Sequence, residues 1–212
     1  MANGFVRPAR PFDASEIARI QLATWRTAYR RLLPRLVLAE LDEAWMAEQW
    51  LAAIEGPPSS RHHIMIAIEQ TGPPPDESND PNADPTGEPV ARSHVVGFVA
   101  TGPADEAALA PDEKPLPETT AAITDLLVEP RWGRRGHGSR LLASAVDGWR
   151  SEGFDTAVAW AYDRDPATRA FLSSAGWEPD GATRALDVDD LLVNQLRLHV
   201  ALDFPDAESA ET

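Results

Sequence analysis

Between Leu126 and Leu142 the chain carries a run whose residue types could hold an anion. It reads Leu126-Leu127-Val128-Glu129-Pro130-Arg131-Trp132, then Gly133-Arg134-Arg135-Gly136-His137-Gly138-Ser139, then Arg140-Leu141-Leu142. A short apolar strand enters a turn rich in glycine and arginine, and the turn opens into an amphipathic helix. Glycine lets backbone N–H groups approach a ligand closely, and a helix start presents unpaired donors at the positive end of its dipole. The chemistry this suits is capture of a phosphate. No Gly-Lys-Ser/Thr follows the glycines, which excludes a Walker A loop, and the surrounding chain lacks the repeated βαβ units of a dinucleotide-binding fold.

Other chemistry is excluded by composition. The 212 residues include no cysteine, so disulfides, thiolate metal sites and a cysteine nucleophile are ruled out and a cytoplasmic setting is expected. His62 and His63 are adjacent and would project to opposite faces of a strand, while His94 and His199 stand alone, so no metal site is expected. The net charge of −15 argues against nucleic acid as a partner. Residues 71–120 hold ten acidic side chains against Arg92 and Lys114, so about half the excess lies in one region. The arginines at 131, 134, 135 and 140 form a basic island on this acidic chain. No apolar run approaches a membrane span and no signal-peptide pattern opens the chain, so no membrane partner is expected.

Periodicity supplies the elements that must position these residues. Phe5–Pro8 reads as a strand, and Asp13 with Glu16 has capping-box spacing for a helix carrying Ile17, Ile20, Thr24 and Ala28 on one face. A second helical stretch from about Leu36 to Ile54 stops at Gly56-Pro57-Pro58. Ile64–Ile68 and Val95–Ala100 read as an antiparallel pair of strands, separated by a Pro-rich acidic insertion over 71–93 that is expected to be disordered. A polar loop spans 102–119. Strands follow at Ile123–Val128 and Thr156–Tyr162, with a helix at Ser139–Arg150 between them. Asp165-Pro166 starts another helix that Gly176 closes. Strands from Trp177 to about Leu186 and from Val193 to Leu202 complete the chain. One domain is expected over 1–203, with a flexible tail at 204–212.

Taken together, these segments resemble the GCN5-related N-acetyltransferase (GNAT) family. The likeness rests on Val6-Arg7-Pro8-Ala9, on Trp25-Arg26-Thr27-Ala28-Tyr29-Arg30-Arg31-Leu32-Leu33-Pro34, on Val96-Gly97-Phe98, on 126–142, and on Thr168-Arg169-Ala170-Phe171-Leu172-Ser173-Ser174-Ala175-Gly176-Trp177. It implies an α/β fold of the α+β type, a mixed, mostly antiparallel sheet flanked by helices and splayed between 123–128 and 156–162. Acetyl-CoA would wedge into that gap as cosubstrate. The resemblance puts the pantetheine arm on the backbone of Leu126, Leu127 and Val128, and the pyrophosphate on Arg134, Arg135, Gly136, His137, Gly138 and Ser139. The backbone of His137 would matter more than its ring.

The family comparison also exposes departures. Position 133 is glycine where the family motif begins with glutamine or arginine. Asp165 stands where many members place an asparagine on the cofactor arm, and most simply caps its helix. Leu172 stands where many carry a tyrosine that protonates the departing thiolate, and leucine donates no proton. The implied reaction is direct attack of a neutral amine on the thioester, with a base, an acid and a backbone N–H for the oxyanion. Tyr162 is the candidate catalytic acid or substrate contact, since it shares parity with Trp160, where some members carry a glutamate base. Asp125 and Glu129 flank the cofactor strand and either act through water or face solvent. Trp25 and Tyr29 border the acceptor side. The acidic surface favours a cationic amine acceptor, and the chain leaves room for a homodimer. The alternative reading, motivated by Leu172, is an acyl-CoA-binding or regulatory module.

Overall fold

The computed structural model describes residues 3–71 and 92–202. In chain order these form β1 (Asn3–Pro8), α1 (Ala14–Ala28), α2 (Arg35–Glu40), α3 (Glu43–Glu55), β2 (His63–Thr71), β3 (Arg92–Pro103) and β4 (Thr120–Val128). Then come α4 (His137–Ser151), β5 (Thr156–Tyr162), α5 (Pro166–Ser174), β6 (Glu178–Val188) and β7 (Leu191–Ala201). The seven strands make one mixed sheet in the order β1-β2-β3-β4-β5-β7-β6, and only the β4–β5 pair is parallel.

That parallel pair is short. Thr120–Ile123 of β4 meet Thr156–Ala159 of β5, and there the pairing stops. Beyond it β4 stays with β3 through Val128, while β5 stays with β7 through Tyr162. The strands therefore part into a V-shaped gap, as the splayed sheet expected from the sequence requires. The edge of β4 over 124–128 that β5 would have covered is left open.

Helices seal both faces. Ile17 and Ile20 of α1 pack on Ile66, Ile68, Phe98 and Leu127. On the opposite face Leu141, Leu142, Ala145 and Trp149 of α4 pack on Ala67, Val96 and Val99, and Trp149 meets Trp177 edge-on at 6.4 Å. Burial of these large side chains is the main drive for closing α4 onto the sheet, at about 1.5–3 kcal/mol for each full-sized apolar side chain.

Several boundaries differ from the sequence reading. Asp13 does not cap α1; its side chain accepts from the backbone N–H of Arg10 and pairs with Arg7 at 2.7 Å. A 3-10 turn at Pro11–Asp13 precedes the helix and claims that carboxylate. The second helical stretch is two helices, because Asp42 accepts from the N–H groups of Ala44 and Trp45 and starts α3 anew. The insertion is narrower than 71–93, since Thr71 still pairs with Arg92 and Ser93 with Gln70; residues 72–91, where disorder was expected, lie outside the described residues. The tail at 204–212 lies outside them as well. The polar loop begins after Pro103 and includes a 3-10 turn at Glu106–Ala108.

Candidate active site

The gap between β4 and β5 forms a cleft. On the α4 face its rim is the glycine turn. Gly136 is the residue before α4, with φ of +80°, a left-handed conformation in which a side chain would be strained. A Cβ on Gly138 would reach Phe171 of α5 at 3.4 Å, so the helix start sits close under its neighbour. The turn thus aims N–H groups of a fifteen-residue helix at the mouth of the gap. α4 starts at His137, two residues earlier than the apolar stripe alone indicates.

The His137 backbone was expected to matter more than its ring; the ring is nonetheless packed into the fold. Its ring is buried, with Nε2 3.3 Å from Oε2 of Glu69, itself 1% exposed on β2. Arg140 donates to Nδ1 at 3.2 Å, which assigns the ring proton to the nitrogen facing Glu69. Burial, aided by Arg140, lowers the His137 pKa, so the ring stays neutral. Arg140 also donates to the Arg135 carbonyl at 3.3 Å, and the Arg135 guanidinium lies 4.0 Å from Glu69 and 4.8 Å above the Trp132 ring. Glu69 Oε2 and His137 Nε2 thus face each other beneath the turn without a hydrogen bond, and the buried carboxylate acts on the turn through its charge. No local sequence signal revealed this, because Glu69 lies 68 positions before His137. Arg134 is exposed, with φ of +63°. Ser139 faces the groove between α4 and α5.

On the α1 face the gap widens into a cavity of about 110 Å³. Leu126 and Leu127 form one wall, and Trp160, Tyr162 and Gln195 the other. Tyr29, just past the end of α1, meets Tyr162 edge-to-face with ring centroids 5.1 Å apart. Trp25 lines the cavity while packing against the α1 core. Asp165 caps α5, accepting from the N–H groups of Ala167 and Thr168 and from the Thr168 hydroxyl at 2.6 Å. Leu172 is buried and closes the floor as an apolar plug.

Asp125 and Glu129, alike in sequence, part company here. Glu129 is buried in an ion triad, 3.2 Å from Arg19 and 2.8 Å from Arg131, and does not reach the cavity. Arg131 is thereby a structural partner of Glu129. Asp125 lines the cavity, and its Oδ1 accepts from Gln21 at 3.4 Å. Gln21 in turn accepts from the Trp50 indole at 2.8 Å, so α1 and α3 together aim the carboxyl. The carboxyl is enclosed by protein although the residue as a whole is half-buried; desolvation pushes its pKa up to about 7, opposed only by the Gln21 bond. Desolvation likewise raises both tyrosines, with Asp165 adding to Tyr29 and Asp125 to Tyr162. A carboxyl near neutrality beside two protonated phenols can exchange a proton with a cleft-bound amine.

The histidines outside the turn serve locally: His62 pairs with Ser59, His63 with Glu152, His199 with the Glu178 carbonyl, and His94 stacks on Trp132. Among the described residues no cluster of three metal-ligating side chains occurs, and no helix is long and apolar enough to cross a membrane.

Comparison with known proteins addresses the same architecture. The acetyltransferase (GNAT) family model matches residues 44–177. The uncharacterized N-acetyltransferase YuaI of Bacillus subtilis is 22% identical over 208 residues, covering 98% of this chain and 96% of that protein. An N-acetyltransferase from Staphylococcus aureus Mu50 superposes with a TM-score of 0.60 at 15% identity, over 95% of this chain and 99% of the other. The PaiA N-acetyltransferase from Thermoplasma acidophilum, solved with coenzyme A, gives 0.59 at 14% identity, over 92% and 98%.

Proposed function

Since the chain belongs to the GNAT acetyltransferase family, we propose that its split sheet brings acetyl-CoA from the α4 face to an amine entering from the α1 face. The protein is an acetyl-CoA-dependent N-acetyltransferase; the residue roles and the order of proton transfers are the new reading. The observation that carries it is the break in β4–β5 pairing after Ile123 and Ala159, with a glycine-formed helix mouth on one side and a neutral-range carboxyl on the other.

The residues fit the cosubstrate. Gly136 and Gly138 leave space that a side chain would fill, and the open edge of Leu126, Leu127 and Val128 offers unpaired backbone groups to the pantetheine amides. The N–H groups of the turn from Arg134 through Ser139 would hold the diphosphate, at roughly 1.5–3 kcal/mol for each charge-assisted bond. Bound there, acetyl-CoA supplies a thioester whose carbonyl carbon accepts the amine nitrogen.

Asp125 removes a proton from the incoming ammonium. A pKa of about 7 makes it a competent base near neutrality. The ammonium proton leaves through solvent, and the second proton, shed by nitrogen after attack as the C–S bond breaks, passes to the departing thiolate, giving amide, free thiol and one solvent proton. Tyr162 keeps its proton, and with its pKa raised it serves as a hydrogen-bond donor toward the leaving sulfur rather than as a full acid. Tyr29 stands beside it in the same role. The two phenols answer the vacancy at Leu172, which favours turnover over a binding-only module. The absence of cysteine from the chain supports a cytoplasmic setting as the proposed compartment.

The test is release of free CoA thiol when purified protein, acetyl-CoA and a panel of primary amines are combined. Turnover with at least one amine is expected, and CoA binding without thiol release across a broad panel would return the reading to a binding module.

A further inference from the structure

Two arginines lie over the Trp160 ring on the acceptor face, and only one of them is neutralised. Arg197 is 4% exposed and pairs with Glu113 at 2.6 Å and with Asp180 at 2.6 Å. Arg184 sits closer to the same ring, 4.2 Å from its centroid against 5.6 Å for Arg197. Its Nε donates to Gln195 at 2.7 Å and its Nη1 to the Ala107 carbonyl at 2.6 Å. Among the described residues it has no carboxylate partner, and Nη2 makes no hydrogen bond. A half-buried guanidinium without a counter-charge is unfavourable unless a ligand supplies one. Burial, with Arg197 adding to it, lowers the Arg184 pKa against the opposing pull of Tyr162, which agrees with an uncompensated charge.

The register places this cation in the row of Tyr162, at the edge of the cleft and outside its lining. Tyr162 pairs with Gln195, and Gln195 with Arg184, so the three form one row across β5, β7 and β6 on the same face. Two strand spacings, about 10 Å, separate the backbones of Tyr162 and Arg184. Outside Tyr162 a second cavity of about 120 Å³ brings Arg31 and Arg164 to the same mouth, and the one carboxylate lining it, Asp163, is engaged by Arg169 at 3.5 Å. Within the cleft Asp165 is occupied as a helix cap and Asp125 titrates near neutrality. Arginines therefore border the cleft on its outer side, Arg31 and Arg164 in the second cavity and Arg184 over Trp160, while the inner cleft itself carries Asp125 and Asp165.

We propose that Arg184 is a specificity-determining residue that receives a carboxylate of the acceptor, so that the amine substrates carry an acidic group several bonds from the nitrogen. This rests on the transferase reading above and runs against the cationic acceptor that net charge suggests. Guanidinium binds carboxylate in a fixed fork, and Gln195 holds one edge of the Arg184 fork in place for it. An ω-amino acid and a short peptide with a free C-terminus share this chemistry.

Calorimetry with CoA already bound reads acceptor binding without turnover. The titrants are 5-aminopentanoate, its amide and 1,5-diaminopentane, with glycylglycine and its amide as the peptide arm. The carboxylates are expected to bind at least tenfold more tightly than their amides, in whichever arm fits. Arg184→Gln is expected to close that gap, and Arg184→Lys to restore part of it, which separates lost charge from a damaged fold. Equal binding of carboxylate, amide and diamine by the wild type, or a gap that survives in Arg184→Gln, overturns the proposal. Turnover of the diamine without any carboxylate preference would leave the transferase standing and remove the proposal. Failure of CoA itself to bind would refute both.

Discussion

Asp125 illustrates how burial converts an ordinary side chain into a reactive one. Its folded pKa of about 7 lies above the ordinary aspartate value, so the folded protein holds an extra proton between those limits. The sign follows directly: the stabilising contribution is present below about pH 4 and is lost as pH rises through 7. Asp125→Asn is therefore expected to raise Tm at pH 8 and leave it nearly unchanged at pH 4. The same variant should lower kcat by roughly 100-fold and abolish the rise in rate through pH 7, both read from a pH–rate profile. Tyr162→Phe removes the hydrogen-bond donor and keeps the ring that packs on Tyr29. It should slow turnover about tenfold or more while CoA affinity stays within twofold; an unchanged rate at saturating substrates would make Tyr162 a packing residue. In the sequence Asp125 and Glu129 were equivalent, because their difference lies chiefly in Gln21 and Arg19, which meet them from 104 and 110 positions away.

The strand–turn–helix unit of β4 and α4 is the element in which function was most legible. Its glycines, arginines and apolar stripe are contiguous, and the backbone conformation they demand is local. Gly136→Val forces a branched residue into φ of +80°, and Gly138→Leu fills the space before Phe171. Each should weaken CoA binding at least tenfold by calorimetry, whereas Gly138→Ala, whose Cβ only reaches ordinary contact at 3.4 Å, should change it little. Equal affinity in all three would remove the turn from the binding site. The approach of Glu69 to the His137 ring beneath the turn was not legible, since it brings β2 to the start of α4. Helix starts were read less well where other donors competed for the carboxylate: Asp13 had cap spacing for α1, but Arg7 and the backbone N–H of Arg10 hold it instead.

Over the whole molecule, charge and insertion are separable from the site. Thr71 and Arg92 are directly paired, so the ends of the segment between them already lie at strand spacing. Replacing residues 72–91 with an Asn-Gly turn is expected to keep kcat/KM within twofold and to raise stability by about 2 kcal/mol through the shorter loop closure. A loss of activity or of association in that variant would instead give the acidic segment a role in docking a partner. The net charge of −15 is likewise a property of the surface as a whole and a poor guide to the surroundings of the cleft, where Arg31 and Arg164 line the outer cavity and Arg184 covers Trp160.

The amino-acid order by itself determined the family, the run of strands and helices, the phosphate-type turn and the exclusion of cysteine chemistry, because each depends on neighbours within a few residues or on composition alone. Only the tertiary structure decided which carboxylate is enclosed, which arginine lacks a counter-charge and what the His137 ring meets. Those properties are sums over groups that meet from distant positions, and desolvation and ion pairing have no value until the chain has brought them together.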